Sequence, residues 1–212
     1  MNFLQISLTN KCNFSCWHCP MGKWRNYVAP RWPLDNATLV PWMEKYVRPG
    51  MWVVELTGGE PSLYDGIDEL MLWLSQHGYR TLIKTNGSGN LMHLPNTTIV
   101  AAYHRLENPP QNYDEYLIVD KIQKDEKVAY CEQNGIPYKV IGYNKENPDG
   151  AKHGFDLCAF VNPAGHQVGC LATPPHERVV GDDDYNRINH RSLVAKPCCP
   201  HCKAAIDAWR FL

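Results

Sequence analysis

Residues 2–20 read NFLQISLTNKCNFSCWHCP, a short apolar run followed at once by three closely spaced cysteines. The run at 3–8 is typical of a strand buried on both faces. Cys12, Cys16 and Cys19 come directly after it with the spacing C-x3-C-x2-C. A strand that ends in a loop of three thiols predicts a metal or cluster site at the edge of a sheet.

Five further apolar runs predict that this strand belongs to a six-stranded parallel sheet. They are rich in Val, Ile, Thr and Tyr and are bounded by Gly, Pro, Asn or Asp; they cover 52–56, 81–83, 97–103, 116–119 and 138–141. Helical patterns at 39–47, 65–78 and 124–135 alternate with the strands, which indicates right-handed βαβ crossovers.

Two of the crossovers are predicted to lack full helices. The segments after the third and fourth strands are short and interrupted by Gly and Pro. We therefore predict an α/β fold, an abridged partial (β/α)6 barrel of the TIM type. Its reactive end is expected at the carboxyl ends of the strands.

The sequence pattern changes near residue 146. A polar stretch, KENPDGAKHGFD at 145–156, leads into cysteine-rich sequence without clear periodicity. We predict a barrel domain at 1–146 and a small irregular, cysteine-rich C-terminal domain at 147–212. So few residues rarely form a sufficient core by themselves, and a bound metal is the usual remedy.

Composition restricts the class of protein. With 44% hydrophobic and 20% charged residues, the 212-residue chain is an ordinary globular sequence. A net charge of -1 provides no basic field for nucleic acid or an anionic membrane, so neither partner is indicated. No apolar run approaches a membrane span of roughly 20 residues. Nine cysteines, an odd number, favour reduced thiols and a cytoplasmic location over disulfides.

A glycine-rich turn after the second strand indicates more specifically what the cysteine loop binds. This turn is Gly58-Gly59-Glu60-Pro61. Together, C-x3-C-x2-C after strand one and GGEP after strand two resemble the radical S-adenosylmethionine (SAM) superfamily. By this resemblance, Cys12, Cys16 and Cys19 hold a 4Fe-4S cluster whose fourth iron stays open to bind SAM. Zinc is the alternative, but it usually takes four Cys or His ligands. The family usually has an aromatic residue where this chain has His18.

The resemblance also suggests which residues contact SAM. Glycines let the backbone approach a ligand closely, and Glu60 is expected to accept the amino group of the SAM methionine. Thr85 and Asn86 lie in a turn after strand three, where Asn86 reaches the SAM ribose or carboxylate or else forms an ordinary turn. His104 is a candidate to contact substrate or SAM, with a surface or core role as the alternative.

Two other segments carry predicted roles. The aromatic and basic insert at 21–33 is expected to cover the site, with stacking on nucleic-acid bases as the alternative. In the C-terminal region, the spacing of the cysteines resembles the auxiliary-cluster appendages called SPASM and twitch. One further 4Fe-4S cluster, or alternatively zinc, is expected at Cys158, Cys170, Cys199 and Cys202, with Cys198 as a possible replacement for Cys199. Cys131 is expected to be a buried small hydrophobe in a helix.

The resemblance implies a radical SAM enzyme. Such an enzyme reductively cleaves SAM, and the resulting 5′-deoxyadenosyl radical abstracts hydrogen from a small-molecule, nucleotide or peptide substrate. An external electron donor such as flavodoxin or ferredoxin is implied. One alternative is a peptide-modifying maturase with a separate recognition partner, because the first strand starts at residue 3 and leaves no room for a leader-binding domain. Another is a non-enzymatic iron-sulfur or zinc redox protein.

Overall fold

The computed structural model describes residues 2–9, 11–16, 35–107, 109–119, 123–141, 158–161 and 167–168. The insert at 21–33 lies outside these residues, as do Cys19, Cys170, Cys198, Cys199 and Cys202. The strands are β1 (Asn2–Ser7), β2 (Trp52–Thr57), β3 (Arg80–Thr85), β4 (Thr97–Ala102), β5 (Glu115–Val119), β6 (Tyr138–Ile141), β7 (Cys158–Val161) and β8 (Gln167–Val168). The helices are α1 (Asn36–Tyr46), α2 (Ile67–Gln76) and α3 (Lys124–Asn134), and a 3-10 turn spans Pro61–Leu63.

The described strands form one sheet in the order β6-β5-β4-β3-β2-β1-β7-β8. Strands β1 to β6 pair in parallel with their neighbours in chain order, which confirms the predicted six-stranded parallel α/β sheet. The described residues between β3 and β4, and between β4 and β5, contain no helix, as predicted. In a parallel sheet the carboxyl ends of all strands meet at one edge, and here this edge collects the loops after β1 to β4.

Helices α1 and α2 pack on one face of the sheet. Because strand side chains alternate between faces, Leu4, Val54 and Ile83 point toward these helices. Helix α2 contributes a stripe of apolar side chains, which the helical pattern at 65–78 predicts. Its buried members are Ile67, Leu70, Met71 and Leu74. Next to this aliphatic core, α3 packs over β5 and β6, and a smaller, aromatic cluster there includes Tyr103, Tyr116 and Cys131. Cys131 is fully buried, as predicted.

The prediction for the start of α1 was wrong by three residues. The apolar pattern begins at residue 39, and a helix that starts there would have Pro41 in its first turn. In the structure, Asp35 caps the helix by accepting a hydrogen bond from the Thr38 amide at 2.8 Å. This cap places Pro41 in the second turn, where it is exposed and removes one intrahelical hydrogen bond.

The strands β7 and β8 were not predicted from the sequence. Strand β7 pairs in parallel with β1, with Cys158 opposite Phe3 and Val161 opposite Ile6, and β8 pairs antiparallel with β7. The signal was present, because Cys158–Val161 reads CAFV and is followed by Asn, Pro and Gly. This run lies in the cysteine-rich region without clear periodicity, so the sequence pattern alone did not identify it, and pairing with β1 makes it a strand.

Candidate functional site

The glycine turn after β2 lies directly against the backbone that leaves β1. Gly58 has φ +138°, and a Cβ at this position would lie 2.5 Å from the Thr9 carbonyl oxygen. The Gly59 amide donates to the Thr9 carbonyl at 2.6 Å, and the Glu60 amide donates to the Lys11 carbonyl at 2.8 Å. Only glycine allows this approach at position 58. The turn therefore fixes the start of the cysteine loop.

The Glu60 carboxylate joins the end of β2 to the end of β3. Its Oε1 accepts hydrogen bonds from the Thr85 hydroxyl at 2.6 Å and the Ser62 amide at 3.1 Å. Its Oε2 accepts from the Asn86 amide at 2.6 Å. The side chain is fully buried, so these three donors replace water around the charge. Sequence reasoning placed Glu60, Thr85 and Asn86 at one site but did not anticipate that they bind one another.

Tyr113 lies near the Glu60 carboxylate, from the connection before β5. Its hydroxyl donates to the Gly89 carbonyl at 2.6 Å. Burial, and then the negative charge of Glu60, raise the pKa of the Tyr113 phenol. This phenol therefore stays protonated and keeps its hydrogen bond to the loop that follows β3.

The Asn86 side chain connects the β3 turn to the cysteine loop. Its Nδ2 donates to the Asn13 side-chain oxygen at 2.8 Å and lies 3.8 Å from the Cys12 sulfur. The Phe14 amide also donates to the Cys12 sulfur, at 3.4 Å. Two N–H groups therefore point at one thiol.

The Cys16 sulfur lies beside His104, which follows β4. The His104 Nδ1 is 3.6 Å from the Cys16 sulfur. The imidazole also contacts the Phe14 ring edge-to-face, with the centroids 5.3 Å apart. On its other side, the buried Lys127 of α3 donates to the His104 carbonyl at 3.1 Å. The structure thus brings the sequence candidate His104 to the cysteine loop, although the nature of its contact was not foreseen.

A row of charged and polar side chains lies on the sheet face away from α1 and α2. Gln5 on β1 donates to Glu55 on β2, and Lys84 on β3 lies 2.7 Å from the same carboxylate. Farther along the sheet, Lys139 on β6 lies 3.1 Å from Glu115 on β5. These ion pairs lie on the same face as the buried Val53, Leu82 and Val100, so this face combines charged and apolar side chains.

The chemistry of the described thiols fits an iron-sulfur cluster. Cys12 and Cys16 form no disulfide and are partly exposed at the edge of the sheet. N–H donors surround the sulfur of Cys12, and a histidine nitrogen lies beside that of Cys16. Such donors stabilise negative sulfur, and thiolate is the form that ligates iron. The third predicted ligand, Cys19, lies outside the described residues.

Most described candidates lie together, and one does not. The carboxyl edge of β1 to β4 holds Cys12, Cys16, Gly58, Gly59, Glu60, Pro61, Thr85, Asn86 and His104. Cys158 starts β7 opposite Phe3, at the amino-terminal edge of the sheet. From Phe3 to Thr9 a strand rises by roughly 20 Å, so the Cys158 backbone is far from the cysteine loop. Sequence reasoning missed Asn13, Ser62 and Lys127, and among these only Asn13, inside the C-x3-C spacing, had a local signal.

Comparison with known proteins adds the family. The family model described as "Radical SAM superfamily" matches residues 6–113, just over half of the 212-residue chain. The GTP 3′,8-cyclase of Aquifex aeolicus is 33% identical over 90 residues, covering 41% of this chain and 28% of that protein. An S-adenosylmethionine-dependent nucleotide dehydratase of a Thermoplasmatales archaeon is 32% identical over 84 residues, covering 39% and 28%. The matched parts are thus little more than a quarter of these relatives.

A solved structure supports the fold. The chain resembles the crystal structure of Streptococcus suis SuiB bound to S-adenosylmethionine with a TM-score of 0.52, at 13% identity, covering 90% of this chain and 62% of that one. None of the helices in the described ranges is long and apolar enough to cross a membrane. Since the family match extends over half of the chain and includes both the cysteine loop and the GGEP turn, this protein belongs to the radical SAM superfamily.

Proposed function

We propose that this protein is a radical SAM enzyme whose first site lies at the carboxyl edge of β1 to β4. The observation that carries the proposal is the pair of backbone hydrogen bonds from Gly59 and Glu60 to the cysteine loop. They hold the SAM-binding motif of the family against the loop of its cluster ligands. When bound there, the cluster supplies one electron that cleaves SAM, and the 5′-deoxyadenosyl radical takes a hydrogen atom from the substrate.

The proposed ligands of this cluster are Cys12, Cys16 and Cys19. Gly58 and Gly59 leave space for the methionine end of SAM, whose ammonium needs acceptors. An ionised carboxylate has about four lone-pair sites, and three donors bind Glu60 already. We assign Glu60 two tasks, to fix the β3 turn and to present its remaining acceptor position to the ammonium. Thr85 and Pro61 support this arrangement, and Asn86 is proposed to contact the SAM ribose or carboxylate.

The proposed substrate site is the sheet face away from α1 and α2, which carries the ion pairs. The Glu55–Lys84 and Glu115–Lys139 pairs lie on it, where a substrate with charged or hydrogen-bonding groups finds partners. The named relatives act on nucleotides, but each matched region is a small part of those proteins. The substrate class therefore stays as broad as the sequence predicts, a small molecule, a nucleotide or a peptide. Flavodoxin or ferredoxin in the cytoplasm is the proposed electron source.

A second metal site is proposed for the C-terminal region, 147–212. Its candidate ligands are Cys158, Cys170, Cys199 and Cys202, which hold a SPASM- or twitch-like 4Fe-4S cluster or zinc. The backbone of Cys158 starts β7 at the amino-terminal edge of the sheet. A metal bound there would be separate from the first cluster, so each site is expected to load independently of the other.

The proposal is tested by metal content and SAM cleavage on anaerobically purified protein. We expect reduced protein to form 5′-deoxyadenosine. Cys12→Ala should abolish this activity and remove about four irons per chain, whatever metal the C-terminal site holds. Cys131→Ala is the matched control, because this thiol is buried in α3 and should leave iron content and cleavage unchanged. Protein with iron but without SAM cleavage would instead be a redox carrier, and protein without iron would refute the enzyme.

A further inference from the structure

We infer that His104 is a positioning residue that donates a hydrogen bond from Nδ1 to the Cys16 thiolate and thereby raises the reduction potential of the first cluster. The inference rests on the proposed function, because it needs Cys16 as an iron ligand. It goes beyond the sequence expectation, which gave His104 a contact with substrate or SAM. It makes the end of β4 part of the electron-accepting site.

The distance and the partners of the imidazole support a hydrogen bond. The Nδ1 to Sγ separation of 3.6 Å is within the range of N–H to sulfur hydrogen bonds. Nδ1 acts as the donor when it carries the ring proton, because the thiolate can only accept. The edge-to-face contact with Phe14 restricts rotation of the ring. Phe14 belongs to the cysteine loop itself, so the imidazole touches this loop at two points.

The backbone of His104 is held from the opposite side by α3. The Lys127 ammonium donates to the His104 carbonyl at 3.1 Å and lies 5.5 Å from the centre of the Tyr103 ring. Lys127 is almost completely buried, and besides this carbonyl the carboxylates of Glu107 and Glu126 act on its charge. Arg105 lies over the Phe14 ring at 5.7 Å. His104 and Arg105 therefore contact the cysteine loop from the β4 side, and Lys127 holds the backbone of His104.

A hydrogen bond to a ligand sulfur has a definite effect on a cluster. Reduction adds one negative charge to the cluster, and a donor at the sulfur stabilises the reduced form more than the oxidised form. Hydrogen bonds to the sulfurs are among the factors that set cluster potentials, and partners of metal ligands also orient those ligands. Cys12 receives its N–H groups from Phe14 and Asn86, whereas Cys16 has His104, so removal of the imidazole acts on one sulfur selectively.

The test is a potentiometric titration of the whole protein. The first cluster is monitored by its EPR signal, which is identified because it changes when SAM is added. His104→Phe keeps a ring against Phe14 but cannot donate. We expect the ratio of reduced to oxidised cluster at a fixed potential to fall about tenfold, a shift of about 59 mV for a one-electron couple. His104→Asn places an amide N–H near the position of Nδ1 and should restore most of the potential. His93→Ala removes an exposed imidazole on another loop and should leave it unchanged.

Each outcome decides between definite alternatives. Equal potentials in wild type and His104→Phe, or equal shifts in the Phe and Asn variants, would overturn the inference while leaving SAM cleavage and the proposed function intact. A wild-type protein without iron or SAM cleavage would refute the proposed function itself. If His104→Phe fails to bind iron, pulsed EPR of [15N]histidine-labelled His18→Phe protein replaces it. A histidine nitrogen coupled to the reduced cluster supports the inference, and no coupling overturns it.

Discussion

The two halves of the described sheet differ in what stabilises them and in what they carry. Strands β1 to β3 pack through Leu, Ile, Val and Met side chains against α1 and α2, and their carboxyl ends hold the cysteine loop and the GGEP turn. Strands β4 and β5 pack against α3 through tyrosines, Cys131 and the buried Lys127. The first half is fixed by shape and apolar burial. The second half depends on phenols and one ammonium, whose hydrogen bonds respond to pH.

The family match ends one strand beyond this division of the sheet. It ends at residue 113, between β4 and β5. The match therefore covers most of the aliphatic half and extends through β4 to His104, while β5, α3 and Lys127 lie beyond it. The cysteine loop and the GGEP turn that carry the family chemistry thus lie within the match, whereas Lys127, which binds the His104 carbonyl, lies outside it. His104, at the end of β4, contacts both the cysteine loop and Lys127.

Gly58→Ala should have the largest effect of the predicted changes, because it disrupts the contact between the GGEP turn and the cysteine loop in the aliphatic half. The added Cβ would lie 2.5 Å from the Thr9 carbonyl, at a φ that L residues rarely adopt. The cysteine loop then has to move away from the GGEP turn. We expect loss of SAM cleavage and of the iron of the first cluster, measured by 5′-deoxyadenosine formation and metal analysis.

Gly78→Ala is the control for backbone strain alone. Gly78 also has a positive φ, +73°, but nothing lies within 4 Å of a Cβ built there. This variant should lose about 1–2 kcal/mol of stability from the left-handed conformation and keep its cluster. If Gly58→Ala bound iron and cleaved SAM like Gly78→Ala, the close contact of the two loops would not matter to the site.

Leu70→Ala tests the apolar burial of the same half with a smaller expected effect. Leu70 of α2 is fully buried in the core, whereas Leu72, two residues on, is 40% exposed. Truncation at a buried leucine costs about 2–5 kcal/mol in unfolding free energy, since it leaves a cavity. The matched Leu72→Ala change should cost about 0.5 kcal/mol or less. Denaturant unfolding of both variants checks this, and equal losses would contradict the packing of α2.

Alkaline pH should weaken the aromatic half. Burial raises the pKa of Tyr103 and Tyr116 from the ordinary 10.0 to about 12 in the folded protein. Their protonated forms thus stabilise the fold fully below pH 10, and this contribution is lost as the pH rises from 10 to 12. Phenolate absorbance and circular dichroism, followed together, measure it.

Tyr116→Phe sharpens this pH experiment. The variant has one fewer buried phenol, so the loss of unfolding free energy between pH 10 and 12 should be smaller than in wild type. At neutral pH it should be less stable by about 1 kcal/mol, because Tyr116 donates a hydrogen bond to the Pro110 carbonyl. Titration of all tyrosines near pH 10 without unfolding would show that the aromatic half is not held by neutral phenols.

Sequence reasoning succeeded wherever the signal was local. The six strands, the buried stripe of α2 and the cysteine and glycine motifs each depend on neighbouring residues, and the structure or the family match confirms them. It failed where a partner distant in sequence decided the outcome. The CAFV run became a strand by pairing with β1. The start of α1 is an exception to both statements, because its Asp35 cap is a local signal that the apolar pattern does not contain.

The sequence by itself determined the parallel α/β sheet, the family and the set of residues at the strand ends, because hydrophobic periodicity and motif spacing are properties of consecutive residues. Only the tertiary structure decided which of these residues touch. Hydrogen bonds join Glu60 to Thr85 and Asn86. His104 lies beside Cys16, and Lys127 binds the His104 carbonyl. These contacts join residues that are 23 to 88 positions apart. These contacts form because parallel strands bring their carboxyl ends to one edge of the sheet. No single stretch of the sequence determines this arrangement, since it depends on strand pairing.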